Sequence, residues 1–335
     1  MAQLQTIKIL FLLALLPGGS LSASSQNQAP DKDVSQAAPE DRGSTADRPG
    51  EKQKLLLAGL ETRVNDIAGR LDGVMAVAIL DLPTGDQVLL HPDEVMPQAS
   101  CIKLAVLANL YLQDQQASAG VAHRARLTDL YTFRESDLVP DSQIMAGLTS
   151  GVTRVTNRDL ATFMVAVSDN SATNILIDRL GMSSVNQMLA ALGLQQTRLR
   201  RKMMDLKAAR EGRENTSTPR EMMKFLEAIY RAKIFDKART ADFFKVLSTL
   251  KDSYIPRLLP DDIPIAEKPG SLEAVRADSG IVFLKNRPFV ICVMTTYLKD
   301  EKAGEMAIGQ VALAAYQYFD RVGRSSSYGR VISAK

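Results

Sequence analysis

The order of secondary-structure patterns along the chain constrains its fold more than any other feature. Strand patterns, which alternate or run apolar, occupy residues 74–92 and 264–298, and the long stretch between them is mostly helical. Because consecutive strands tend to pair and connections are short, strands from both ends should assemble into one mostly antiparallel sheet. We therefore predict an α+β fold in which the first and last helices flank the sheet and the middle forms an all-helical lobe. A cleft between the two lobes is the expected place for chemistry.

Local signals predict where individual elements begin and end. Thr218 is a helix N-cap by its type, with Pro219 at the first helical position and Glu221 placed to close a capping box. The other predicted elements are, in order, a helix ending at Gly73, a hairpin with its turn at 83–85, two helices that break at 168–170, and a final helix over about 301–321.

Residues 1–23 have the layout of a secretory signal peptide. Lys8 precedes an apolar run over 9–16, and helix breakers and small residues follow around Ser22 and Ala23. The run is far shorter than the roughly 20 residues of a membrane-spanning helix, and no cysteine near the cleavage site suggests a lipid anchor. We therefore expect cleavage near Ala23, no stable membrane anchor, and a periplasmic or secreted protein.

The folded domain is predicted to cover residues 51–322. Residues 24–50 are rich in Ser, Gln, Ala, Pro, Asp and Gly and hold almost no large apolar side chain, which predicts a disordered linker. Residues 323–335 are predicted to be a flexible tail. The whole chain has 335 residues, 45% of them hydrophobic, so the folded part is long enough to bury a substantial core.

The charge balance excludes one large class of partners. The chain has 41 Lys and Arg against 38 Asp and Glu, a net charge of +3, with 5% aromatic residues and no Trp. It therefore offers neither a basic surface nor a stacking platform for nucleic acid. We expect a monomer that acts on small molecules.

A serine lies three residues before a lysine at the start of an apolar helix, in the stretch QASCIKL at 98–104. This spacing is close to one helical turn, so Ser100 Oγ and the Lys103 ammonium should lie on one face as nucleophile and base. A chain of this length should contain about one such match by chance, and Ser248 with Lys251 is a second. Ser100 as a helix N-cap therefore remains an alternative at this point.

Two further short motifs follow the first along the chain. By chance a Ser-Asp-Asn triplet should occur in only a few per cent of chains this long, at roughly average composition, so it weighs more than the first motif. The three motifs, in order, are Ser100-x-x-Lys103, Ser168-Asp169-Asn170 and Lys268-Pro269-Gly270-Ser271.

In these motifs the sequence resembles the class A β-lactamases and the wider penicillin-recognising serine hydrolases, whose motif set is S-x-x-K, S-D-N and K-T-G. The resemblance covers essentially the whole folded region, including SDNSATNILID at 168–178. It implies a β-lactamase/transpeptidase-like fold with a five-stranded antiparallel sheet and an all-helical lobe.

The resemblance also implies catalytic roles. Ser100 would be the nucleophile that accepts the acyl group, with Lys103 as its base or proton relay, and Ser168 would pass a proton to the departing nitrogen. A lysine that is partly desolvated beside a second cation has a lowered pKa and can accept a proton, and Lys268 is the candidate second cation.

The remaining assigned positions would bind the substrate. Asn170 would hold the substrate's side-chain amide and Lys268 would face its carboxylate. Backbone N–H groups of Ser100 and Ser271 would form the oxyanion hole, and Gly270 belongs to the same binding strand.

The loop after the second motif departs from the family. The stretch TRLRRKMMDLKAAREGRENTSTP, which begins at Thr197, puts Met203 where the resemblance leads us to expect a glutamate that activates water for deacylation. Asp205, Glu211 and Glu214 lie in the same loop and are candidate replacements, although ordinary solvated or ion-paired roles are the simpler interpretation.

The third motif departs as well. Pro269 replaces a Thr or Ser, which removes a hydroxyl that would bind the substrate carboxylate. Ser271 and Arg276 are candidates to take over that contact. For Arg276, a salt bridge to Asp278 or Glu273 is an equal alternative.

The cysteines and histidines suggest few competing sites. Cys101 lies in the buried helix start and Cys292 in an apolar strand, so two buried free thiols are favoured over a disulfide. His91 at a strand end and His123 in a polar loop favour surface positions over a Ser-His-Asp triad. We expect no metal site and no cofactor.

The leading hypothesis is an exported serine hydrolase of class A β-lactamase type, which opens β-lactam amides through acyl-Ser100 and deacylates slowly. A second hypothesis keeps the same serine in a D-Ala-D-Ala peptidase, an esterase or a penicillin-binding protein that acts on peptidoglycan. A third is a non-catalytic periplasmic binding protein.

Overall fold

The structure, a computed structural model, describes residues 50–331. The predicted signal peptide, all but the last residue of the predicted linker, and residues 332–335 lie outside the described residues. The helices are α1 (Glu51–Gly69), α2 (Lys103–Ser118), α3 (Asn157–Ala166), α4 (Asn170–Leu180), α5 (Met182–Ala191), α6 (Leu206–Arg210), α7 (Pro219–Tyr230), α8 (Lys237–Leu247) and α9 (Glu301–Gly323). The strands are β1 (Val74–Asp81), β2 (Gln87–Leu90), β3 (Met96–Pro97), β4 (Leu130–Thr132), β5 (Arg154–Thr156), β6 (Thr216–Ser217), β7 (Ile265–Leu272), β8 (Val275–Val282) and β9 (Phe289–Thr296).

Strands from both ends of the domain form one five-stranded sheet in the order β2-β1-β9-β8-β7, with every pair antiparallel. The register pairs Ala78 with Cys292 and Lys268 with Ser279. The α+β prediction and the five strands implied by the resemblance are confirmed. β7 is an edge strand, and this explains why Pro269, which has no N–H to donate, is tolerated within it.

The sheet is buried on both faces, and this accounts for the almost unbroken apolar sequence of β1. Ala76 and Ala78 point into a core shared with α2, whereas Val77 and Ile79 point into a second core shared with α1 and α9. Alternate residues of a strand lie on opposite faces, so both sets must be apolar here. The prediction that the first and last helices flank the sheet is therefore confirmed.

α2 forms the centre of the helical lobe. Eleven of its 16 residues are buried, so it is apolar nearly all round, as expected of a helix surrounded by protein. Within residues 50–331, no helix is long and apolar enough to cross a membrane.

Two predicted element ends differ from the structure. α1 stops at Gly69 rather than Gly73, because Gly73 lies against Thr296 and Leu298, where the chain enters the sheet. α9 extends to Gly323, and residues 324–331 fold back in a turn closed by a bridge between Ser325 and Val331.

The predicted capping box of α7 is only half formed. The Thr218 hydroxyl accepts a hydrogen bond from the Glu221 N–H, with Pro219 at the first helical position as predicted. The Glu221 carboxylate instead accepts from the N–H groups of Gln196 and Thr197. It therefore fastens the start of the loop that carries Met203.

Candidate active site

Ser100 lies in a tight turn where the helical lobe meets the sheet. Residues Ala99–Ile102 form a 3₁₀ turn that leads into α2, and Ala99 has a positive φ of 46°. A left-handed conformation costs free energy for a residue other than glycine and persists only where its surroundings hold it. Ser100 therefore projects from a constrained turn and does not act as a helix N-cap, since Gln98 and Ile102 occupy the two cap positions.

Ser168 lies in the turn between α3 and α4, also with a positive φ, of 56°. The buried carboxylate of Asp169 accepts hydrogen bonds from the N–H groups of Ala172, Ile144 and Met145. The aspartate of the triplet thus caps α4 and ties the turn to a neighbouring loop, which holds Ser168 in place.

The side chains of the three motifs meet in one hydrogen-bonded network. Lys103 Nζ donates to Ser168 Oγ at 2.8 Å and to Asn170 Oδ1 at 2.9 Å, and it also donates to the Ser168 carbonyl. Ser168 Oγ donates to Ser100 Oγ at 2.9 Å, and Lys268 Nζ donates to Ser168 Oγ at 3.2 Å. The hydrogen-bonded path from Ser100 to Lys103 therefore runs through Ser168. The spacing alone had suggested a direct contact between Ser100 and Lys103.

Both lysines of the network are buried, and both have lowered pKa values. Burial lowers the pKa of Lys103 well below its usual range, the nearby Lys268 lowers it further, and Asp169 and Asp141 oppose the shift. Burial likewise lowers the pKa of Lys268 to about 8. The predicted second cation is present, but loss of solvation is the larger cause of the Lys103 shift. Proton acceptance by Lys103 near neutral pH is therefore chemically accessible.

Gly270 lets β7 lie directly against the Ser100 turn. A Cβ at this position would lie 2.8 Å from the Gln98 carbonyl oxygen and 2.9 Å from Ser100 N, closer than side chains tolerate. Because these atoms are backbone, the strand and the turn would have to move apart. This close approach puts the backbone of the third motif beside the Ser100 N–H, as an oxyanion hole shared by Ser100 and Ser271 requires.

We expect Gly270→Ala to lower the acylation rate of Ser100 by about a hundredfold, because separating β7 from the turn displaces an oxyanion donor. The acylation rate by penicillin G, measured by intact-protein mass spectrometry, checks this. Gly59→Ala is the matched control, since nothing lies within 4 Å of its added Cβ. Equal rates in the two variants would contradict this role of Gly270.

A buried carboxyl pair lies behind Lys268. Asp278 and Glu267, on β8 and β7, are both almost fully buried, and each has one side-chain oxygen without a hydrogen-bond partner among the described residues. Burial, and then the charge of Glu267, raise the pKa of Asp278 well above its usual range. The other Asp278 oxygen accepts from the N–H groups of Tyr254 and Ile255. Asp278 therefore keeps its proton to a higher pH in the folded protein than in the unfolded chain.

The raised pKa of Asp278 predicts that the contribution of this residue to folding stability falls as pH rises. Its protonated form stabilises the fold below the usual carboxyl pKa of about 4, and this contribution is lost as pH increases through the raised value. Asp278→Asn should therefore gain stability over the native chain between pH 5 and pH 8, by on the order of 1 kcal/mol. Thermal melts at both pH values test this. Asp262→Asn, an exposed control, should show no such gain, and an equal gain there would contradict the assignment.

Two cavities open on either side of Ser100 and Ser168. One, of about 330 Å³, is lined by Lys268, Pro269 and Ser271 and extends toward Arg257 and Lys251. The other, of about 280 Å³, extends over the 197–215 loop. The nucleophile candidate therefore lies between two spaces that can hold the two parts of an amide substrate.

Comparison with known proteins identifies the family. The model described as "Beta-lactamase enzyme family" matches residues 59–319, well over half of the chain. The chain belongs to this family. Known proteins similar to the chain are far diverged from it in sequence, and their similarity extends over most of both proteins.

Three of these relatives illustrate the divergence. Beta-lactamase SME-1 of Serratia marcescens is 26% identical, over 74% of this chain and 85% of its own. Carbapenem-hydrolyzing beta-lactamase KPC of Klebsiella oxytoca is 27% identical, over 73% and 84%. The crystal structure of a beta-lactamase from Sphaerobacter thermophilus superposes with a TM-score of 0.69 at 30% identity, over 78% and 96%. The protein is thus a serine hydrolase similar to the class A β-lactamases.

The loop position of the expected family glutamate holds a methionine that faces the site. Met203 is buried, lines the cavity of about 280 Å³, and has its backbone held by Asn174, whose Oδ1 accepts from the Met203 N–H at 2.8 Å. No carboxylate from the loop lines either cavity near Ser100 in the described structure.

The three candidate replacement carboxylates have structural roles instead. Asp205 caps α6, Glu211 pairs with Arg213, and Glu214 pairs with Arg201. The carboxylate that does line the cavity is Asp141. Sequence analysis missed it because it belongs to no motif and lies in a loop 27 residues before Ser168.

Arg276 does not line either cavity beside Ser100. Its guanidinium forms ion pairs with Glu301 and Glu305 of α9. Its ion-pair partners are therefore not Asp278 or Glu273, because α9 supplies two carboxylates that the local sequence does not reveal. Substrate binding by Arg276 stays a prediction.

The cysteine prediction is confirmed, since Cys101 and Cys292 are both buried and free. The Cys101 thiol donates to the Lys268 carbonyl at 3.0 Å, and burial raises its pKa well above the usual value. His91 and His123 are exposed and line neither cavity, as the surface interpretation predicts.

Proposed function

We propose that the protein opens β-lactam amide bonds by transferring the acyl group to Ser100, and that the acyl group then leaves slowly. The observation that carries this proposal is the hydrogen-bonded path Ser100–Ser168–Lys103 combined with Met203 where the deacylation glutamate is expected. The first feature supports acylation, and the second removes the group that would prepare water for the next step.

Acylation follows from the protons available to Lys103. A neutral amine has two hydrogens, which can serve the Ser168 carbonyl and Asn170 Oδ1, and a lone pair that remains for the Ser168 hydroxyl. Ser100 can then donate to Ser168 Oγ as it attacks, while Ser168 donates to Lys103. The proton returns by the same path to the departing nitrogen. Backbone N–H groups of Ser100 and Ser271 stabilise the oxyanion, and Lys268 holds the substrate carboxylate.

Pre-steady-state hydrolysis of nitrocefin tests this proposal. We expect a burst of about one product per enzyme followed by much slower steady turnover, and no burst for Ser100→Ala. Ser248→Ala, which alters the serine of the second Ser-x-x-Lys pair, is the control and should keep the burst. A native chain that neither bursts nor turns over would overturn the proposal.

Slow deacylation is also consistent with a second candidate function, action on peptidoglycan. An enzyme that has Met203 in place of the deacylation glutamate fits a D-Ala-D-Ala peptidase or penicillin-binding protein as well as a β-lactamase. Release of D-Ala from a stem-peptide mimic, abolished by Ser100→Ala, would favour that second candidate. A binding protein without catalysis is less consistent with the complete network around Ser100.

The acylation rate should be bell-shaped in pH. Lys103 must be neutral, so the rate rises with pH through its lowered pKa, whereas Lys268 must be charged to hold the substrate carboxylate. Because the pKa of Lys268 is about 8, its charge is present below that pH and lost above it. Acylation efficiency should fall about tenfold per pH unit above this value.

The matched variant for this profile is Lys268→Arg, whose guanidinium stays charged across the range. It should lose the alkaline decline while keeping the acid limb. Rapid-mixing acylation by penicillin G between pH 5 and pH 10 measures both limbs. An alkaline decline that is unchanged in Lys268→Arg would show that another group titrates.

We also propose that the protein is exported and acts as a monomer in the periplasm or outside the cell. The layout of residues 1–23 supports export. N-terminal sequencing of the protein from a fractionated expression host should find a mature chain that begins after Ala23. Sedimentation of the purified mature chain tests the monomer.

A further inference from the structure

The cavity of about 280 Å³ beside Ser100 combines an apolar floor with a charged rim. Its large apolar side chains from the loop and from the end of β7 are Met203, Met204, Leu206 and Leu272, and the smaller Ala99 and Val167 also line it. Two charged side chains also line it within the described structure, Asp141 and Arg201. Thioethers adapt to irregular apolar or aromatic groups, so the floor suits the side chain of an acyl group.

The positive member of this pair is already neutralised. Arg201 is nearly buried, with 7% of its side chain exposed, and forms an ion pair of 2.8 Å with Glu214. It also donates to Glu214 Oε1 through Nε and to the Lys202 carbonyl through Nη1. Its charge is therefore compensated within the protein and has little left to offer a substrate.

The negative member has no such compensation. Asp141 is exposed, and within residues 50–331 its carboxylate forms no ion pair and accepts no hydrogen bond from a side chain. Of the two charged side chains that line this cavity, Asp141 is therefore the unpaired one among the described residues, with Lys103 as a nearby cation.

The loop that carries Asp141 is fastened to the start of α4. Asn170 N–H donates to the Asp141 carbonyl at 3.2 Å, and Asn170 Nδ2 donates to the Pro140 carbonyl at 3.2 Å. The Ser171 hydroxyl accepts from Val139 N–H at 2.9 Å. Asp141 itself has a positive φ of 57°. The backbone of Asp141 is thus held beside Asn170, whose amide would bind the substrate's side-chain amide, and its carboxylate is free to turn toward a bound cation.

We propose that Asp141 makes the enzyme selective for β-lactams whose acyl side chain carries an ammonium group close to the side-chain amide. This inference rests on the proposed function and names the substrate class of that same site. The apolar floor binds the body of the side chain, and Asp141 attracts its cation. A side chain with a carboxylate at the same place is repelled.

Three penicillins with the same phenyl side chain test this. They differ only at the carbon next to the amide, which bears hydrogen in benzylpenicillin, an amine in ampicillin and a carboxylate in carbenicillin. At about pH 6, below the usual pKa of an α-amino group, the amine is protonated. The readout is the efficiency of Ser100 acylation by each compound, measured by mass spectrometry of the intact protein.

For the native chain we expect ampicillin to acylate about fivefold faster than benzylpenicillin, and carbenicillin about fivefold slower, as a partly exposed ion pair permits. In Asp141→Asn the three efficiencies should agree to within about twofold. Asparagine tolerates the left-handed backbone of this position, so the variant should keep the loop conformation. Raising the salt concentration should compress the native order in the same direction.

Asp262→Asn is the control, because it makes the same charge change at an exposed position outside both cavities. It should keep the native order. Acylation by all three penicillins without a charge order, or an order that survives in Asp141→Asn, would overturn the selectivity while leaving the proposed function intact. Failure of all three to acylate Ser100 would instead overturn the proposed function and this inference with it.

Discussion

Replacing Lys103 with alanine is expected to slow acylation of Ser100 by penicillin G about a thousandfold. The variant removes the amine that receives the Ser100 proton through Ser168, and general-base catalysis contributes about 10²–10⁴-fold to such steps. Rapid-quench mass spectrometry, which counts acylated protein against time, measures the rate. The fold should survive, because the substitution also removes the cost of burying the Lys103 cation, which offsets the loss of its hydrogen bonds.

The variant Lys103→Arg distinguishes a role of Lys103 as a base from a role as a positive charge. The guanidinium keeps a cation near Ser168 but does not release its proton at accessible pH. If Lys103 acts as a base, arginine should be about as inactive as alanine. Acylation in Lys103→Arg at close to the native rate would show that Lys103 contributes only its positive charge.

Met203→Glu is expected to shorten the lifetime of the acyl-enzyme by about a hundredfold or more. The side chain lines the cavity beside Ser100, and the backbone is held on both sides by Asn174, which accepts from Met203 N–H and donates to its carbonyl. A carboxylate there can take a proton from water as it attacks the ester. Steady-state turnover of nitrocefin, which the proposed function expects deacylation to limit in the native chain, should rise accordingly.

Met203→Gln provides the matched comparison, since it has the shape of glutamate without the basic oxygen. It should keep the long acyl-enzyme lifetime. An unchanged lifetime in Met203→Glu would mean that another feature of the cavity, such as access of water, limits deacylation. Equal acceleration by glutamine and glutamate would point to polarity rather than to a base.

The sequence predicted the fold well because its signals were local and repeated. The strands at both ends follow from apolar or alternating runs, and the helical middle follows from the helical spacing of its apolar residues. The three motifs also meet in space, since two of them lie at the starts of α2 and α4 and the third lies on the edge strand β7 beside the Ser100 turn. What the motifs could not reveal was the connection through Ser168, because the 3₁₀ turn at Ser100 and the left-handed Ser168 set the side-chain directions.

Other features depended on contacts between distant segments. The ion-pair partners of Arg276 could not be predicted, because Glu301 and Glu305 lie 25 and 29 residues further along the chain. Asp141 reached the cavity through hydrogen bonds to α4 that no short pattern encodes. Gly270 is part of the third motif, but its role in letting β7 lie against the Ser100 turn depends on a contact that the sequence does not reveal.

The central claim is that Ser100 is acylated faster than it is released, and mass spectrometry of the intact protein tests it directly. After mixing with penicillin G, the native chain should gain the mass of one penicillin within seconds and keep it for minutes or longer. Ser100→Ala should gain nothing, and Ser248→Ala should behave as the native chain does. No mass gain together with no turnover, or rapid turnover in which the acylated form never accumulates, would contradict the account.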